Sequence, residues 1–174
     1  MKLMHLVLSI MTISGMAALG GQTVSVASFL DDGSDEPQLR PYLEDLTSGA
    51  MDGLFYSGLI ATSQRPAART KEEILLSLPD LASKALEEHV GYLFIIIAKD
   101  RPTLSDGVET WQLEYLEYMM VDCSQGSILG SGTMPGPEDK GQSAEDFRLW
   151  CLEKGAEALK DGISDMIGYE EGKS

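Results

Sequence analysis

The run Val90-Gly91-Tyr92-Leu93-Phe94-Ile95-Ile96-Ile97-Ala98 contains no charged residue, and any fold of this chain has to bury it. Each large apolar side chain taken out of water contributes roughly 1.5–3 kcal/mol. Periodicity does not separate a buried strand from a buried helix in so short a run. Three consecutive isoleucines favour a strand. The helical patterns on either side, and the lack of a second convincing strand, favour a helix. The expectation is therefore a helix over 90–98 inside an all-α domain of four to five helices.

The patterns that carry that expectation are these. Over 39–64, Leu39, Leu43 and Leu46 share a helical face, and Ala50, Leu54, Ser57, Gly58 and Ala61 continue it as a stripe of mostly small residues. Small residues on a helix face let a neighbouring backbone come close. Arg65 to Arg69 is a Pro-containing break. Thr70-Lys71-Glu72-Glu73 is a capping box, a hydroxyl at the N-cap and Glu at N3. The helix it starts is expected to stop or kink near Pro79, with Asp80 able to cap the next one.

Val108 to Cys123 reads as a strong helix with core face Leu113, Leu116, Met120 and Cys123. A second stripe, Trp111, Tyr115 and Tyr118, is fringed by Glu114 and Glu117. Burial of both faces in a central helix explains that stripe most simply. The sharper reading makes these five residues a partner-binding patch, because Tyr and Trp are favoured interface anchors. Ser143 caps the last helix, whose stripe is Leu149, Leu152, Ala156, Leu159, Ile163 and Met166. Gly155 and Gly162 weaken it by roughly 1 kcal/mol each relative to Ala.

The N-terminus sets the address. Lys2 is followed by an apolar run from Leu3 to Leu19, a short polar stretch, and the small-residue triplet Ser25-Val26-Ala27. That is the signal-peptide pattern. Cleavage is expected after Ala27, with Ala17 or Ala18 as weaker options. The organisation is thus a signal peptide at 1–27, an acidic leader at 28–38 and a helical domain at 39–170. No later run is long enough to span a bilayer, so no stable membrane insertion is expected after cleavage. The chain contains no Asn and hence no N-glycosylation acceptor, which favours the periplasm over a eukaryotic secretory route.

Charge narrows the partners. The net charge is −15, and loss of Lys2 with the signal peptide makes it −16. Nucleic acid and anionic membranes repel such a surface, whereas a protein with a basic surface suits it. Cys123 and Cys151, in an oxidising compartment and without metal spacing, read as a disulfide joining the last two helices.

Chemistry is sparse. Beyond the signal region the one histidine is His89, at an expected helix end. No nucleophile elbow, phosphate loop, H-E-x-x-H or C-x-x-C motif is present. Neither a cofactor nor a metal is expected, and the acidic stretch Asp31 to Glu36 lacks the ligand spacing of an EF-hand. A pair of carboxylates remains open as glycoside-hydrolase chemistry.

The segments Phe29-Leu30-Asp31-Asp32-Gly33, Tyr42-Leu43-Glu44-Asp45 and Gly53-Leu54-Phe55-Tyr56-Ser57-Gly58-Leu59-Ile60-Ala61 resemble the start of the Rap/Tai family. Those are periplasmic immunity proteins that neutralise peptidoglycan amidases delivered by type VI secretion. The resemblance implies a small helical, disulfide-bonded fold and a protein partner. The expected function is an exported, non-enzymatic, protein-binding protein, with a carboxylate-based cell-wall hydrolase or an acid-stress chaperone as alternatives.

Overall fold

A computed structural model describes residues 22–32, 37, 39–63, 70–105, 108–137 and 143–172, with backbone alone over 101–105, 108–112 and 170–172. The expected signal segment up to residue 21 and residues 33–36 and 38 of the acidic leader lie outside the described residues, whereas the first leader residues, 28–30, are the end of β1, with Ser28 and Leu30 buried. Five strands and four helices are described: β1 (Thr23–Leu30), α1 (Arg40–Tyr56), β2 (Ile60–Ser63), α2 (Lys71–Leu76), α3 (Leu78–Glu87), β3 (Tyr92–Ser105), β4 (Val108–Asp122), β5 (Ser127–Pro135) and α4 (Ala144–Gly172). The all-α expectation is wrong. The chain forms a five-stranded mixed sheet of order β2-β1-β3-β4-β5 between two helical layers.

β1 pairs in parallel with both β2 and β3, and β3, β4 and β5 follow antiparallel. α1 and α4 cover one face, over Val24, Val26, Phe94, Ile96 and Met120. α2 and α3 cover the other, over Leu93, Ile95, Ile97, Met119 and Val121. The run 90–98 is therefore the core of β3, buried on both faces. A strand covered on both sides loses apolar–polar alternation and reads as one continuous hydrophobic segment.

β4 looked helical for a related reason. Lys99 pairs with Tyr115 and Asp100 with Leu113, so Glu114 is an extra residue, a β-bulge. The bulge sets Leu113 and Leu116 three apart on one face, together with Tyr118 and Met120. Both faces being apolar completes the imitation of a 3.6-residue period.

The expected disulfide is absent. Cys123 is buried under α2 and α3, and Cys151 is buried on α4 against the opposite face. The sheet stands between them, and packed layers lie roughly 10 Å apart. A disulfide needs Cα atoms within about 7 Å. The helical, disulfide-bonded fold implied by the resemblance is not the one formed.

Local signals fare better. The Thr70–Glu73 capping box is present in both directions, at 3.2 and 3.0 Å. Ser143 caps α4 through the Asp146 N–H, at 3.1 Å. The helix begun at Thr70 stops at Leu76, just before Pro79 as expected, and Pro79 lies in the first turn of α3, where its missing N–H costs nothing. Asp80 is in that first turn and is not the cap, a position held by Ser77.

Candidate functional site

Leu30 ends β1, and the backbone of Asp31 then ties three elements together. Its N–H donates to Ala98 of β3 (2.9 Å), and its carbonyl accepts from Lys71, the first residue of α2 (3.0 Å). Its carboxylate takes the ammonium of Lys99 at 2.6 Å. Lys71 reaches across to Glu117 of β4, at 2.8 and 2.6 Å from the two carboxylate oxygens. The hydrogen bond that Lys71 donates to Glu117 raises the Lys71 pKa, partly offset by burial. The hydrogen bond that Lys99 donates to Asp31 raises that of Lys99. Both lysines stay protonated, so these pairs act as fasteners rather than as proton-transfer groups.

They fasten the root of an arm. β1 stops pairing with β3 at Ala98, and β5 does not pair with β4 before Tyr115. From Asp100 to Ser105, and from Val108 to Leu113, β3 and β4 pair with each other and with no further described strand. At about 3.3 Å per residue this ribbon extends about 20 Å past the body of the sheet. Two strands alone are marginal in water. The two ion pairs and the buried continuation of both strands anchor it at its base.

The five residues expected to form one patch are divided by the strand. Trp111 stands opposite Pro102 within the ribbon, and its side chain lies outside the described residues. Glu114 is exposed at the bulge, where its carbonyl accepts from Gly136 (2.9 Å). Tyr115 and Glu117 are half-buried at the root, on the α2 face. Tyr118 points the other way into the core, its ring 6.0 Å from Phe94 and its hydroxyl donating to Asp161. Burial and the neighbouring Asp161 and Asp165 raise its pKa. A helical stripe would have brought these residues together. Alternation along a strand sends Tyr118 to the opposite face.

Inspection of spacing missed the ribbon itself. The signal was present: Asp106-Gly107 between Pro102-Thr103-Leu104-Ser105 and Val108-Glu109-Thr110-Trp111 is a two-residue hairpin turn sequence. Also missed were Phe55 and Tyr56 at the end of α1, 77% and 84% exposed with ring centroids 6.0 Å apart.

Nucleophilic chemistry finds no support among the described residues. Burial pushes the Cys123 thiol up to about 11 and the Cys151 thiol up to about 12, and neither is a nucleophile at neutral pH. His89 is exposed just beyond α3 with φ 63°, its N–H closing the helix end onto Leu86 (3.0 Å). No group of three or more His, Cys, Asp or Glu able to hold a metal occurs among the described residues. No described helix is long and apolar enough to cross a membrane.

The fold defines a three-layer α/β protein with a mixed sheet. No family model matches the sequence, and no curated protein matches it. Solved structures share its outline. A PelC dodecamer from Paraburkholderia phytofirmans is 16% identical, with 80% of this chain and 88% of that one covered and a TM-score of 0.48. A putative neuraminyllactose-binding hemagglutinin homolog from Helicobacter pylori is 12% identical over 88% and 89%, TM-score 0.44. Lipoprotein GNA1162 from Neisseria meningitidis is 11% identical over 83% and 99%, TM-score 0.44. None reaches a TM-score of 0.5, and nothing about activity follows from them.

Proposed function

We propose that this chain is an exported, non-enzymatic binding protein of the bacterial envelope, and that the β3–β4 ribbon is the element that engages its protein partner. One observation carries the proposal: β3 and β4 run past every described neighbouring strand, and Trp111 lies on the part that does so. A projecting pair of strands offers free backbone edges for strand addition as well as side chains on both faces. The stretch Asp100 to Glu114 holds four acidic residues, Asp100, Asp106, Glu109 and Glu114, against Arg101. With a chain net charge of −15, this favours a partner with a basic surface. An inhibitor or immunity protein is one form of such a binder, since it needs a surface and no reaction chemistry. The apolar run at the N-terminus supports export to the periplasm.

The test is capture from periplasmic extract with the exported protein as bait, read by mass spectrometry and repeated with the purified partner. Trp111→Ala is expected to weaken a single stoichiometric complex at least tenfold while leaving the thermal midpoint unchanged. Equal capture by the wild type and Trp111→Ala removes the ribbon from the proposal. Absence of any stoichiometric partner removes the binding function itself.

A further inference from the structure

β1 begins inside the segment that the small-residue pattern assigns to the signal peptide. Every residue that β2 pairs with lies in Thr23–Val26: Ile60 with Thr23, Ala61 with Val24, Thr62 with Ser25 and Ser63 with Val26. On its other side β1 pairs with β3 from Val24 to Leu30. Val24 and Val26 are completely buried in the core shared with α1 and α4. The structural role begins even earlier, because the Gln22 carbonyl accepts from Ile60 N–H at 3.0 Å and the Thr23 carbonyl from Gly91 N–H at 3.0 Å.

A cut after Ala27 would therefore remove all of the partners of β2 and leave β1 with Ser28, Phe29 and Leu30. β2 would have no strand to join, and β3 would lose a neighbour along Tyr92 to Ile95. The triplet Ser25-Val26-Ala27 satisfies the small-residue pattern of a cleavage site for another reason. Ser25 is buried and Ala27 half-buried, and along the strand they alternate with Val24 and Val26, which enter the core under α1 and α4.

We propose that signal-peptide cleavage occurs upstream of Thr23, after Ala17 or after Gly20, and that the triplet ending at Ala27 is kept as the middle of β1. This rests on the export reading above. Gly15 and Ala17, or Ala18 and Gly20, supply small residues at the minus-three and minus-one positions, and both sites flank the end of the apolar run at Leu19. The step is amide hydrolysis. The C–N bond after Ala17 or Gly20 breaks, water gives its hydroxyl to the carbonyl carbon, and a proton completes the amine of Ala18 or Gly21.

The experiment is expression of the full chain with a C-terminal tag, recovery from the periplasm, and intact-mass and N-terminal peptide analysis. A first residue from Ala18 to Gln22 is the expected result. A first residue at Thr23 or later, Ser28 above all, overturns the proposal and leaves export standing. A chain retained in the cytoplasm with its N-terminus intact overturns the export reading and this proposal with it. Ala27→Leu removes the small residue from the rejected site and is expected to leave the processed mass changed by the substitution alone. The double variant Ala17→Leu/Gly20→Leu is expected to accumulate unprocessed chain. The reverse pattern in these two variants also overturns the proposal.

Discussion

Gly49 on α1 lies against the carbonyl of Leu152 on α4 so closely that a Cβ at Gly49 would overlap it, and Gly155 stands in the same relation to Leu46. The two helices cross backbone to backbone, with Asp45 opposite Arg148 and Gly49 opposite Leu152. Gly49→Ala and Gly155→Ala are each expected to destabilise by about 3 kcal/mol, because the obstacle is backbone and cannot rotate away. Gly168, on the same helix, has open space around it. Gly168→Ala is expected to stabilise by about 1 kcal/mol through helix propensity. Urea midpoints at constant m-value check both.

Asp45 is buried on α1, and Arg148 grips it with two bonds, Nε at 2.7 Å and a terminal nitrogen at 3.1 Å. The carboxylate raises the Arg148 pKa. Arg148→Ala would leave a buried carboxylate without its cation, which costs more than the pair itself contributes. A lower thermal midpoint is expected at pH 7, with Asp45→Asn recovering part of the loss in the double variant. Additive effects of the two single substitutions would show that the pair is not coupled.

The cysteines make two expectations. Iodoacetamide should label neither Cys123 nor Cys151 in the native protein and both after guanidinium unfolding, and reducing agent should not shift the thermal midpoint. Their pH dependence has a definite sign. Burial raises the folded pKa values from 9.0 to about 11 and about 12, so the folded state holds its thiol protons longer than the unfolded one. Their contribution is complete below pH 9 and is lost as pH rises through 11 to 12. Cys123→Ala/Cys151→Ala should flatten the fall in stability over that interval.

Gly132 of β5 lies beneath Tyr118, and a Cβ there would overlap the tyrosine hydroxyl. Gly132→Val is expected to cost about 2 kcal/mol by overpacking. Tyr118→Ala alone destabilises by opening a cavity, but combined with Gly132→Val it should cost less than the two effects added. Circular dichroism melts of the three variants measure this.

Part of this architecture was legible in the sequence. The Thr70–Glu73 and Ser143–Asp146 caps formed as read, because a cap is made by residues three apart and depends on no distant partner. Most of α1 and α4 is helical where the pattern predicted. The small-residue idea for α1 was right in kind but wrong in position: the close approach is made by Gly49, not by Gly58, which lies beyond the helix end. Gly155 and Gly162, read only as weak points, are where α4 meets Leu46 of α1 and Phe94 of β3.

The sequence by itself determined the acidic charge, the need to bury 90–98, the local caps and the long last helix. The charge is a sum over the chain, and the others follow from residues near one another in sequence. Only the tertiary structure decided that 90–98 and 108–122 are strands, that Ser25-Val26-Ala27 forms the middle of β1, and that Cys123 and Cys151 lie on opposite faces of the sheet. Strand pairing is made with residues far along the chain: Val24 lies between Ala61 and Tyr92. With helices covering both faces, the sheet erases the alternation that would have announced it.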